Sequence, residues 1–327
     1  MKKYICLHVM CMCSILFVST KVHAYKYGLG SCLDQSLDQV IWPAIQEEKI
    51  DGFIFLGDNV YGDQPNGELF KMKNAYEIQK TRLPKWLIKE KDILAIWDDH
   101  DFGLNDGGRD YLFKEEAKKM FLNFWNVAED DPRNYREGLY FKNIKNVDGT
   151  KIEIIALDTR FFRSKLNGKK NAYKPNINPQ ATILGKEQWD WFQSSITNST
   201  SKVIIILSSI QVLATDHPYE KWANFPLERS KLIKILSEAA KDKIVIVVSG
   251  DRHRSGIYQN NFFVEITASS LNKPGSRNKE IDPFLVGETF SEINYGILDI
   301  QPTKNTITVS IHNKNGKVLN SKTIDIF

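Results

Sequence analysis

Phe53-Ile54-Phe55-Leu56-Gly57-Asp58-Asn59-Val60-Tyr61 is the stretch on which the reading of this chain turns. Four consecutive apolar residues with no polar alternation describe a strand buried on both faces. The run stops at a glycine and is followed at once by a carboxylate and, three residues on, a phenol. Three further segments repeat the pattern. Residues 93–97 run into Asp98-Asp99-His100-Asp101, residues 244–248 into Ser249-Gly250-Asp251-Arg252-His253, and Tyr27-Gly28-Leu29-Gly30 into Ser31-Cys32. In open α/β sheets, ligands bind beyond the carboxyl ends of the strands. Carboxylates gathered there repel and raise one another's pKa, a penalty that a multivalent cation removes. Taken singly, each burst has an ordinary reading: a turn aspartate at Asp58, a solvated acidic loop at 98–101, an ion pair at 251–253. Their shared place at strand ends favours a metal centre.

Further runs at residues 152–157, 203–207 and 262–267 read as buried strands. Helical spacing recurs over residues 37–48, 69–89 with a break near Pro84, 114–125, 186–196, and 228–240 after Pro226. Strand and helix alternate, so a layered α/β architecture follows. The last third differs. Residues 295–300, 306–312 and 317–326 are consecutive strands, and Asn313-Lys314-Asn315-Gly316 is a strong turn signal, which predicts a C-terminal antiparallel β meander. Residues 169–183, with two prolines and three asparagines, read as a surface excursion. No linker, repeat or low-complexity tract interrupts residues 25–327, which we read as one domain.

Lys2 and Lys3, the apolar residues 4–20 and Val22-His23-Ala24 have the layout of a secretory signal peptide over residues 1–24. The apolar part is short for a membrane span, so the expected protein is exported, periplasmic or secreted, without a stable span after cleavage. Cleavage leaves 41 basic residues against 40 acidic ones. No basic stripe stands out, so no nucleic-acid partner is expected, and a monomer is the simplest assembly. Cys6, Cys11 and Cys13 leave with the leader. The remaining Cys32 is open to three readings: an intermolecular bridge, burial, or a metal. His217, in a polar loop, and His312, ending a late strand, read as surface or second-sphere groups.

At these residues the chain resembles the alkaline phosphatase D (PhoD-like) family of metallophosphoesterases. The matching segments are Gly30-Ser31-Cys32, Phe55 to Tyr61, Trp97 to Asp101, Leu157-Asp158-Thr159-Arg160, Leu184 to Trp189, Ser208 to Val212, and Ser249 to His253. The resemblance implies a four-layer α/β/β/α sandwich and a polynuclear centre of ferric iron with calcium; many other metallophosphoesterases use different divalent pairs. It implies Cys32, Asp58 and Tyr61 as ligands on one side, with Asp58 bridging. Asp99 takes the place of the Asn in the common Gly-Asn-His motif, and Asp251 and His253 complete the set. A thiolate and a phenolate suit ferric iron, and carboxylates suit calcium. The chain departs from common metallophosphoesterases at residues 208–211, Ser-Ser-Ile-Gln, where those proteins carry a His. The second metal's ligands therefore stay open, with Asp98 replacing or joining Asp99.

The implied function is hydrolysis of a phosphate mono- or diester by a metal-activated hydroxide. His100 would protonate or orient the leaving oxygen. Arg160 would hold phosphoryl oxygens, unless it pairs with Asp158 or another carboxylate. Residues 169–183 and 271–290 are long enough to shape an entrance, and Lys273, Arg277 and Lys279 are its candidate cations. Two other readings are a non-catalytic metal-binding or adhesion protein, and a serine hydrolase using Ser208 or Ser209. The second lacks a Gly-x-Ser-x-Gly elbow.

Overall fold

The computed structural model describes residues 24–276 and 278–326. The leader expected over residues 1–24 lies, apart from Ala24, outside the described residues, as does Arg277. Strand β1 (Tyr25–Gly30) leads to α1 (Trp42–Glu47), β2 (Gly52–Leu56), α2 (Phe70–Arg82), α3 (Lys85–Glu90) and β3 (Asp92–Ile96). One helical turn, α4 (Asp99–Phe102), precedes α5 (Lys114–Phe124) and the strands β4 (Phe141–Val147) and β5 (Thr150–Ala156). The small strands β6 (Asn167–Lys169) and β7 (Ala172–Lys174) are followed by α6 (Gly185–Thr197), β8 (Val203–Ser208), α7 (Pro226–Ala239), β9 (Ile244–Ser249), β10 (Gly256–Gln259) and β11 (Val264–Thr267). Strands β12 (Asn294–Gln301), β13 (Thr306–Asn313) and β14 (Val318–Asp325) close the chain as an antiparallel meander.

Local chemistry sets several of these limits. Leu83 is extended because the ring of Pro84 disfavours helix in the residue before it, so α2 and α3 separate there. Pro226 occupies the first turn of α7, where its missing N–H costs no hydrogen bond. Helix α1 is shorter than the stripe from residue 37 suggested, since Leu37 and Val40 are exposed.

Two six-stranded sheets form, in the orders β14-β13-β12-β1-β2-β3 and β10-β11-β9-β8-β5-β4. Strands β1, β2 and β3 are mutually parallel, as are β5, β8, β9 and β11. Alternate residues of each buried strand serve two different layers. Ile54, Leu56, Leu94 and Ile96 meet Ile154, Ala156, Val203, Ile205, Ile246 and Val248 between the sheets. Phe53, Phe55, Ala95 and Trp97 turn outward onto Trp42, Leu87 and Phe121 of α1, α3 and α5. Ile155, Ile204, Ile206, Val245 and Val247 turn the other way onto Trp189, Phe192, Leu232 and Leu236 of α6 and α7. This is the four-layer α/β/β/α sandwich, and it explains why the strands lack polar alternation. A fully buried Val, Leu or Ile is worth about 1.5–3 kcal/mol, so a polar residue on either face would be costly. Strand β4 escaped the sequence reading because it is a sheet edge whose alternate residues are exposed. Among the described residues no helix is long and apolar enough to cross a membrane.

Candidate metal centre

The carboxyl ends of β1, β2, β3 and β9 converge where the two sheets meet. Backbone geometry there is unusual. Cys32, Asp58, Asp251 and His253 all have positive φ, between 53° and 64°. Such conformations cost an L-residue about 1–3 kcal/mol each and persist where the surroundings over-determine them, characteristically at functional sites. Gly57, at φ 98°, sits so close to the next strand end that an added Cβ would lie 2.5 Å from the Cβ of Asp98. A Cβ on Gly250 would lie 2.6 Å from the Leu56 carbonyl oxygen and 2.8 Å from Ser31 Oγ. Both glycines let the strand ends close around the site.

The side chains form one donor cluster with Asp58 at its middle. Cys32, Asp58 and His253 each offer a ligand atom within 4.8 Å of the others; so do Asp58, Asp99 and His100, and so do Asp58, Asp98, Asp99 and Asp251. Tyr61 Oη donates to Asp58 Oδ2 at 3.0 Å and lies 3.4 Å from His253 Nε2. Cys32 Sγ is 3.5 Å from Asp58 Oδ2. His253 Nδ1 donates to the Lys273 carbonyl, which leaves Nε2 free to face the cluster. Burial first, then neighbouring acids, raises Asp98 and Asp251 well above the ordinary carboxylate pKa and pushes Asp58 up to about 7. Asp99 goes the other way. Burial opposes its ionisation, but the charges of His100 and Arg160 and the Asp106 N–H outweigh it. Two buried carboxylate oxygens, Asp98 Oδ2 and Asp99 Oδ1, have no hydrogen-bond partner. Orphaned acceptors among repelling carboxylates, with a thiol, a phenol and an imidazole beside them, fit multivalent cations.

The structure separates the acids around His100. Asp98 and Asp99 both reach the cluster, each with one oxygen committed elsewhere: Asp98 Oδ1 to Arg160 and Ser209, Asp99 Oδ2 to Asn105 and the Asp106 N–H. Asp101 does not reach it. Its carboxylate accepts from the backbone N–H of Asp98 at 3.0 Å and of Asn59 at 2.9 Å, capping α4 and tying two strand-end loops together. His100 Nδ1 lies 2.5 Å from Asp63 Oδ1, and its Nε2 is 4.0 Å from Asp99 Oδ1.

Arg160 is placed differently from a phosphate clamp. It is fully buried, with Nε and Nη2 on Asp98 and Nη1 on Glu220, each at 2.5 Å. Asp158 does not pair with the guanidinium; that carboxylate accepts from the backbone N–H groups of Leu139, Arg160 and Phe161. Ser208 Oγ donates to the Ile210 carbonyl, and Ser209 Oγ bonds Thr159 and Asp98, whose same oxygen is held by Arg160, so neither hydroxyl is hydrogen-bonded to a histidine or lysine. His312 is buried away from the cluster, not at the surface, stacked on Tyr295 and 3.1 Å from Glu48.

The cluster opens into a cavity of about 240 Å³ that Asp99, His100, Asp251 and His253 line from below. Lys170, Asn171 and Tyr173 of the 169–183 excursion and Gly275, Ser276 and Glu280 of the 271–290 segment form its rim. Both segments therefore shape the entrance. Lys273 is engaged by Asp34 at 2.6 Å and lies over the Tyr61 ring; Lys279 is exposed.

The description "PhoD-like phosphatase" belongs to a protein family whose profile matches residues 31–309, most of the chain. The chain belongs to the PhoD-like phosphatase family. It is 26% identical over 273 residues to alkaline phosphatase D of Bacillus subtilis (strain 168), covering 68% of this chain and 44% of that protein. It thus spans less than half the length of that curated relative. The solved structure of PhoD superposes with a TM-score of 0.69 at 17% identity, covering 92% of this chain and 72% of the other. GAP50 of Plasmodium, described as the anchor in the inner membrane complex, superposes at 0.61 with 12% identity, covering 93% and 89%. At these identities the two structural likenesses concern the fold.

For a PhoD-like chain, the sequence reading missed three residues that hold the site. Asp63 anchors His100. Ser269 bonds Cys32 Sγ at 3.1 Å and accepts from the His253 N–H at 2.7 Å. Glu220 joins Arg160 and Arg163 behind Asp98. The strand-end rule, applied to β11 as well, reaches Ser269 two residues past its end; nothing local marks Glu220.

Proposed function

We propose that the chain is an exported, metal-dependent phosphoesterase acting on phosphate mono- or diesters. The observation that carries the reading is Asp58, common to all three donor groups and placed to be shared between two ions. Cys32, Tyr61 and His253 would hold one ion with Asp58; Asp99 and Asp251, with Asp98 beside them, would hold the other. The thiolate and phenolate favour ferric iron on the first side and the carboxylates favour calcium on the second, where other divalent ions also fit. When bound, such ions supply Lewis acidity and a hydroxide at neutral pH.

The protein's own groups do the rest. Asp63 holds His100 through Nδ1 and turns Nε2 toward the cluster, from where it protonates the leaving oxygen. Burial opposes protonation of that ring, but the charges of Asp99 and Asp58 and the Asp63 hydrogen bond push its pKa up to about 10. With a cation held by those same acids, the value would return toward the working range. Arg160 orders Asp98 and supports the cluster from behind. Export rests on the residue pattern of the leader.

The fold alone does not decide activity, since a neighbour of the same fold is described as an anchor. A non-catalytic metal-binding or adhesion protein is the competing reading. Elemental analysis of protein purified without added metal, with monoester and diester turnover measured on the same sample, tests the proposal. Stoichiometric metal with turnover abolished by chelation is expected. Turnover in protein with only trace metal would overturn it. His100→Ala should retain metal and lose activity; full activity in that variant and in Asp99→Asn would remove the mechanism.

A further inference from the structure

Most of the cations around the centre face an acid of their own; Lys170 and Lys221 rest on neutral oxygens instead, and one pair of arginines shares a single acid. Arg160 and Arg163 face Asp98 and Glu220, and Lys273 faces Asp34. Arg252 and Arg254, which alternate with Asp251 and His253 after β9, share the single carboxylate of Glu280, both on Oε1. Arg254 also donates from Nη2 to the Ser276 and Asn278 carbonyls and so pins the rim segment, while its buried Nε has no partner. Arg252 uses Nη2 on Glu280 and lies over the Tyr219 ring at 4.6 Å; its buried Nε has no partner. Both arginines, Tyr219 and Glu280 line the same cavity as Asp251 and His253. Behind them stands His217, whose two ring nitrogens are buried without a hydrogen bond. Burial and the charges of Arg252, Lys221 and Arg254 hold its pKa well below the ordinary imidazole value. Lys221, with its ammonium on the His217 and Tyr219 carbonyls, is lowered to about 8 by burial and by Arg252, against the opposing charges of Asp216, Asp282 and Glu280.

We propose that Arg252, backed by Arg254 and Glu280, is a subsite for a second anionic group of the substrate, a phosphate or carboxylate carried beyond the reacting phosphoryl group. A guanidinium already pinned on one side by Glu280 and stacked on Tyr219 loses little freedom when it accepts an anion. A charge-assisted contact of this kind strengthens binding by about tenfold to a hundredfold. The inference deepens the phosphoesterase reading and rests on it for the placement of the first group.

Calorimetric binding to the metal-replete protein, with methylphosphonate and propane-1,3-bisphosphonate as probes, tests it without turnover. The bisphosphonate should bind at least about tenfold tighter. In Arg252→Met the ratio of the two Kd values should fall toward one. In Glu280→Gln, where the guanidinium pair loses its shared acid, the ratio should rise. An equal ratio in the wild type, or one that neither variant moves, overturns the subsite. Preferential binding of the bisphosphonate together with no turnover of any ester would keep the subsite and remove the catalytic reading, so the two failures are distinct.

Discussion

Asp63 and Asp101 show how far the role of an aspartate depends on which atoms it meets. Asp101 stands beside His100 in the chain yet spends both oxygens on backbone N–H groups. Asp63, 37 residues away in sequence, touches the imidazole. Asp63 is a positioning residue, and Asp63→Asn should lower kcat by about tenfold to a hundredfold with metal content retained. The same change removes an acid that favours the protonated ring, so the alkaline limb of the kcat profile should move to lower pH. A fall in kcat without that movement would mark a merely structural role. Cys32 gives a second test. Burial pushes its thiol well above the ordinary pKa against the hydrogen bonds of Ser269 and Ser31, and a cation nearby would favour the thiolate. Cys32→Ser should therefore lose metal on dialysis faster than the parent, measured by elemental analysis, while folding normally.

The functional groups lie two to five residues past the end of a strand, and four of them, Cys32, Asp58, Asp251 and His253, have left-handed backbone. Gly57 is the tightest of these joints. Gly57→Ala places a side chain at φ 98° and against Asp98. It should cost about 1–3 kcal/mol in denaturant unfolding from the backbone alone, and metal affinity should fall with it. A variant of unchanged stability and metal content would show that the joint tolerates what the geometry forbids. Strand periodicity placed β2, β3, β5, β8 and β9 because both faces of each are buried and every position must be apolar. It missed β4, an edge strand for which that requirement is relaxed, and β10, an edge strand of only four residues.

Taken as a whole, the molecule stores electrostatic repulsion at the junction of its two sheets. Asp58 and Asp101 have pKa values pushed up to about 7, chiefly by burial. Folded-state values above the ordinary 3.8 mean that the folded chain binds those protons more tightly than the unfolded one. Their contribution is therefore fully present below 3.8 and is lost as pH rises through about 7. Metal-stripped protein should melt at a higher temperature near pH 5.5 than near pH 7.5, and added metal should restore the loss at the higher pH. Equal melting at both values after chelation would contradict the repulsion described here.

Much of this was legible in the linear chain. Apolar runs ending in Asp58, Asp99 and Asp251, the alternation with helical stretches, and the meander after residue 294 follow from periodicity and composition, because those are local consequences of burial. Cys32 and Tyr61 enter as candidate donors through the family resemblance, and the fold brings both beside Asp58. What the tertiary structure decided is who meets whom. Arg160 faces Asp98 and Glu220, and Asp63 faces His100. Asp101 serves as a cap, and Arg252 and Arg254 share Glu280 at the cavity wall. Those pairings join loops that follow different strands, and their separation in sequence carries no periodic signal; the lateral order of the strands brings Asp63 to His100, and the packing of two sheets face to face brings Arg160 to Asp98.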